Sequence, residues 1–269
     1  MNGLHFFFGV SAFVAPVVVA QSTQGVKLPY WILALALLPV AGWLLRLPSP
    51  AASPKDEGHT ARPSDSRLVV LIALFLFLYV GAEVSFGGWI YTYTVALKLG
   101  GAATAPYLTS AFWGSLTLGR LLAIPLVTRF RPRSVLLCDL TGCLVSVGVI
   151  LLWSDSFAAT LAGTVGLGLS MASIFPTTLT LAERRMAITG RVTGWFIVGA
   201  SAGSMFLPWL IGQLFEPAGP RAAMFVVIAA LAAAAVVFYS LVRRPPRTRI
   251  GEGEASVYLD NPPGGGHPF

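Results

Sequence analysis

The chain alternates between long apolar runs and short polar interruptions. Eight runs read as helices that cross a bilayer: 4–20, 29–47, 68–97, 105–127, 134–153, 157–182, 190–214 and 222–242. At ~1.5 Å rise per residue, about 20 residues span a hydrocarbon core of about 30 Å. Backbone polar groups in lipid must be satisfied within the segment, so such runs form helices. They lack the strict alternation of barrel strands. Residues 1–21 lack the basic start of a signal peptide, so the first run is read as a span of the mature fold. The fold class that follows is all-α, a polytopic membrane protein of eight transmembrane helices.

Composition agrees. Hydrophobic residues make up 55% of the chain and charged residues 11%. Soluble domains carry about 25% charged residues, so a membrane class is favoured. The formal net charge of +7 does not point to nucleic acid, because the basic residues sit in short loops between spans. Fourteen of the 18 Lys and Arg fall on one side: Arg46–Arg67, Arg129–Arg133, Arg184–Arg191 and Arg243–Arg249. Only Lys27, Lys98 and Arg221 fall on the other, and Arg120 lies within a span. The positive-inside rule then places both termini and the 46–67 loop in the cytoplasm.

Two segments, Pro48–Ser66 and Pro245–Phe269, are rich in Pro, Ser, Gly and charge and read as unfolded. They divide the chain into a two-helix segment (1–47), a cytoplasmic linker (48–67), a six-helix block (68–243) and a disordered cytoplasmic tail (244–269). A six-helix block beside a cytoplasmic linker suggests one half of a transporter built from six-helix halves.

Glu83 is the only acidic residue between Leu68 and Leu97. A carboxylate at that depth costs roughly 2.5–3.5 kcal/mol on insertion scales. It suits a proton, a sodium ion or the diol of a sugar, and equally a structural pair with an Arg or Lys of another helix. Gly87-Gly88 one turn later is expected to loosen the helix, and Trp89 offers a ring face for a sugar. Tyr91 and Tyr93 suit an interfacial aromatic belt. Trp113 suits either the cavity wall or helix packing, and Gln213 is a cavity hydrogen-bonder. Arg120 can snorkel or pair with Asp139; with Arg129 and Arg133 that pair would form a cytoplasmic latch. Gly190-xxx-Gly194 and Gly199-xxx-Gly203 have the small-xxx-small spacing of close helix contacts. Pro125, Pro176 and Pro208 are expected to kink their helices.

Cys138 and Cys143 lie about 140° apart around one helix and cannot readily bridge. The scattered histidines form no metal-ligand pattern, and HExxH and GxSxG are both absent. An enzyme is thereby disfavoured, and no cofactor is expected beyond a coupling ion, H+ or Na+.

Several strings carry a family resemblance. LFLYVGAEVSFGGWIYTYTV around Glu83 and YLTSAFWGSLTLGRLLAIPLVTRFRPRSVLL from Tyr107 resemble the seventh and eighth helices of Major Facilitator Superfamily sugar transporters. The similarity is to the fucose/glucose/galactose permease group and to sodium-dependent glucose transporter-like proteins. SIFPTTLTLAE at 173–183, TGWFIVGASAGSMFLPWLIGQLF at 193–215 and LHFFFGVSAFVAP at 4–16 resemble the tenth, eleventh and fifth helices. The loop TRFRPRS departs from the superfamily's gate motif in having three Arg and no acidic residue. The resemblance implies helices five to twelve of that fold, in a secondary or facilitative carrier of a hexose or similar polar solute working by alternating access. The expected partners are the bilayer, the solute, and the missing N-terminal helices or a complementary half. Two alternatives stay open: a truncated or accessory protein without transport of its own, and a carrier of a non-sugar solute.

Overall fold

The computed structural model describes residues 11–18, 21, 27–47, 65–101 and 103–243. Residues 11–18 are helical, and the named elements are α1 (Lys27–Leu44), α2 (Ser66–Ala96), α3 (Ala105–Arg129), α4 (Pro132–Leu152), α5 (Phe157–Met171), α6 (Ile174–Glu183), α7 (Gly190–Ala218) and α8 (Ala222–Arg243). Five helical stretches among the described residues are long and apolar enough to cross a membrane. They are α2, α4, the Phe157–Glu183 stretch that contains α5 and α6, α7 and α8. The chain is an all-α, multi-pass integral membrane protein. α1 and α3, of 18 and 25 residues, occupy two further expected spans. Of the expected linker at 48–67, residues 48–64 lie outside the described residues, while Asp65 caps α2 and Ser66 and Arg67 belong to its first turn; the expected tail from 244 also lies outside them.

Local sequence explains the helix ends. Asp65, Ser156 and Thr189 cap α2, α5 and α7 by accepting from the amides of Arg67, Ala159 and Val192. Pro132 opens α4 at a position where no intrahelical amide is needed.

α2 is the hub. Its Phe75, Leu76, Tyr79, Ala82, Phe86, Ile90 and Tyr93 are wholly buried. It packs most extensively on α7 and α8, and also on α3. α5 packs on both α3 and α4. Lipid gives helices no hydrophobic drive to associate, so close packing of small residues matters. Gly199 and Gly203 place their backbones against the carbonyls of Ala73 and Phe77, and Gly81 sits against Gly203 and Leu207. The Gly199-xxx-Gly203 expectation is therefore met at the α2–α7 contact. Gly190 and Gly194 make no such approach, since a Cβ on either would meet nothing within 4 Å.

Tyr91 is exposed, as a belt residue would be, but Tyr93 is buried in the core. The difference is helical phase: Tyr93 continues the buried stripe of Phe86 and Ile90, while Tyr91 points away from it. α3 and α7 continue through Pro125 and Pro208 as single helices.

The span 157–183 does break, at Ala172–Ser173. Pro176 accounts for it. Proline cannot donate to the carbonyl four residues back, that of Ala172, and its ring crowds that carbonyl. Placed in the first turn of α6, where intrahelical donors are not required, Pro176 is tolerated.

Candidate polar site at the α5–α6 break

Three helices, α2, α3 and α4, converge on this break. Gly119 of α3 packs on Ala172 and the backbone of Leu169. α4 sends Asp139, which accepts a hydrogen bond from the Ser173 hydroxyl. α2 sends Tyr79, whose hydroxyl lies 3.0 Å from the carbonyl oxygen of Met171, the last residue of α5. The same hydroxyl is hydrogen-bonded to Oε2 of Glu83. Residues four apart on a helix share a face, so the Tyr79–Glu83 pairing is built into the chain.

Arg120 completes the cluster. Its Nη2 lies 3.9 Å from Oε1 of Glu83. Direct charge-assisted bonds run at about 2.7–2.9 Å, so this is charge proximity, and Tyr79 is the hydrogen-bond partner of the carboxyl group. Nη1 of Arg120 is buried with no hydrogen-bond partner. The structure thus pairs Arg120 with Glu83, where a latch to Asp139 was expected. Asp139 is engaged by Ser173 instead. The reason is register: Gly119 brings α3 against α5 at the break, on the side from which α2 presents Glu83.

The other anticipated residues are spread around this centre. Gly87 is where the indole of Trp113 lies against α2, with Cζ2 2.8 Å from where a Cβ would stand. The helix runs unbroken from Ser66 to Ala96, so Gly87-Gly88 does not interrupt it. Trp113 also meets Phe112 edge-on, with ring centroids 5.1 Å apart. Trp89 lies about 120° around the helix from Glu83. It turns to α7, its ring 5.0 Å from that of Phe215. Gln213 is exposed on α7. Neither Trp89 nor Gln213 joins the Glu83 cluster.

Arg129 ends α3 and Arg133 lies in the first turn of α4; both are exposed. Arg185, just past α6, donates to the Leu241 carbonyl near the end of α8. Burial, and secondly the like charge of Arg133, lower its guanidinium from the ordinary value. The ion pairs among the described residues are Arg120–Glu83 and Arg221–Asp155, so neither Arg129 nor Arg133 has an acidic latch partner there. Those residues also contain no group of three metal-binding side chains.

Sequence reading missed Tyr79, Ser173 and Met171. The Tyr79-xxx-Glu83 spacing was a readable sign for the first. The Ser173–Asp139 contact spans 34 residues and has no local sign. Replacing Ser173 with Ala should strip Asp139 of this donor and destabilise the chain by about 1–3 kcal/mol. Thermal melting of Ser173→Ala, Asp139→Ala and the double variant measures it. Additive effects would show that the contact carries no coupling.

Comparison with known proteins decides the family. The Major Facilitator Superfamily profile matches residues 103–263, more than half of the chain. The chain belongs to the Major Facilitator Superfamily. Its relatives include the Sodium-dependent glucose transporter 1 of Xenopus laevis, 30% identical over 248 residues, covering 80% of this chain and 50% of that protein. Human Major facilitator superfamily domain-containing protein 4A is 36% identical over 148 residues, covering 55% of this chain and 29% of that one. Among solved structures, the superfamily transporter FucP in its outward conformation superposes with a TM-score of 0.59 at 19% identity, covering 81% of this chain and 55% of FucP. The chain therefore spans about half or less of the length of these superfamily relatives.

Proposed function

We propose that the chain forms the C-terminal part, helices five to twelve, of a secondary transporter for a hexose or similar small polar solute. It works with a complementary half by alternating access, its loops rich in Arg facing the cytoplasm. The carrying observation is the buried Glu83–Tyr79 pair, with the half-buried Arg120 beside it, at a helix break inside the span region of a Major Facilitator protein. Ionisable residues kept within membrane spans mark substrate or ion paths, and transporters place such sites at discontinuous helices. The solute class draws on relatives: one is named a sodium-dependent glucose transporter, and FucP of E. coli a fucose:proton symporter.

In this reading Glu83 is the coupling residue and Arg120 its counter-charge. Trp113 lines the cavity one turn beyond Glu83, while Trp89 and Gln213 contribute from the α7 side. Arg129 and Arg133 act at the cytoplasmic surface, and Asp139 holds the break.

Uptake of labelled hexoses by proteoliposomes containing the assembled transporter tests this. Accumulation driven by a proton or sodium gradient is expected. Absence of uptake for every hexose, with and without gradients, would sink the sugar assignment.

A further inference from the structure

The Tyr79 hydroxyl faces two acceptors with one hydrogen. A phenol donates once and also accepts. Its oxygen is within bonding reach of both the Glu83 carboxyl group and the Met171 carbonyl. When Glu83 is ionised it can only accept, so Tyr79 donates to it and the bond to Met171 is given up. When Glu83 is protonated, its O–H donates to the Tyr79 oxygen, and Tyr79 is free to donate to Met171. No atom is lost in this exchange; one proton is bound at Glu83 and one O–H bond rotates.

We propose that Tyr79 is a proton-reporting relay, which tightens the α5–α6 break when Glu83 binds a proton and loosens it when the proton leaves. The ligand of the site is therefore H+. The break is poised for such control because Pro176 removes the amide that would otherwise bridge it.

The groups that face Glu83 are few. On its own helix there is Tyr79, on α3 there is Arg120, and on α4 the Cys143 thiol, with Asp139 beyond it turned to Ser173. The charged residues of α7 and α8 stand near the ends of those helices (Arg191, Glu216, Arg243), and α5 has no titratable side chain. Of these groups the Glu83 carboxyl is the one bonded to the Tyr79 hydroxyl, so its proton is the one that sets the direction of that bond.

The relay rests on the transport reading only for its purpose, and it can be tested on the chain without solute. Amide-exchange protection across residues 171–175 would be followed against pH in nanodiscs. The protonated-carboxyl infrared band absent from Glu83→Gln would be followed in parallel. In the wild type, protection should fall roughly three- to tenfold as that band disappears, the value of one hydrogen bond. Tyr79→Phe should keep the titrating band but show low protection at every pH. Glu83→Gln, whose amide donates permanently to Tyr79, should show high protection at every pH.

A flat wild-type profile would overturn the relay. So would the wild-type pH profile in Tyr79→Phe, or a Glu83 that never titrates. Loss of uptake with pH-linked protection intact would sink the transport reading alone. Flat protection with ion-driven uptake intact would sink the relay alone.

Discussion

Glu83→Gln should reduce ion-driven accumulation of solute to the level of liposomes without protein, while membrane insertion and melting temperature stay close to wild type. The expected stability change is within ~1 kcal/mol, because Gln keeps the shape of the side chain and a hydrogen bond to Tyr79. It removes the one acidic charge near Arg120. The two readings of Glu83 separate here. A coupling residue loses accumulation but keeps exchange of solute down its gradient. A purely structural partner of the half-buried Arg120, once neutralised, instead loses insertion or melting temperature together with all solute movement. Insertion, melting and counterflow assays on the same variant therefore distinguish coupling from scaffolding.

Gly203→Ala is expected to have the largest effect on stability. A Cβ there would run into the carbonyl of Phe77, a backbone atom that cannot turn aside. Forcing α2 and α7 apart at their closest point costs about 1–3 kcal/mol or more. Gly199→Ala should behave similarly, against the carbonyl of Ala73. Gly194→Ala is the matched control, with nothing within 4 Å of the new methyl group. Its stability should stay within about 0.5 kcal/mol of wild type, as for substitutions that touch no packed feature. Thermal unfolding in one detergent ranks the three. If Gly203→Ala and Gly194→Ala melt alike, the close α2–α7 approach is wrong.

The same two sites show how far the sequence could be read. Spans follow from hydropathy alone, and the 157–182 run appears as one span even though it holds two helices. Its break was foreshadowed by Pro176, because the missing amide acts on a carbonyl fixed by spacing. Gly199-xxx-Gly203 was likewise readable, yet Gly190-xxx-Gly194 has the same spacing and makes no close contact. The motif permits an approach; the rotation of α7 against α2 decides which copy is used. Arg120 illustrates the limit. Sequence gives its depth in α3, but its partner depends on how three helices rotate, and that placed Glu83 beside it while Ser173 took Asp139. Tyr79 was legible by its four-residue spacing from Glu83. Its second bond, to Met171 across 92 positions, was not.

In the proposed mechanism Glu83 links ion movement to solute movement. The most direct measurement is ion flux triggered by hexose in proteoliposomes, compared between the assembled wild-type transporter and Glu83→Gln. Hexose should drive proton entry in the wild type and none in the variant, while the variant still exchanges labelled for unlabelled hexose. Proton flux at the wild-type level in Glu83→Gln would contradict it.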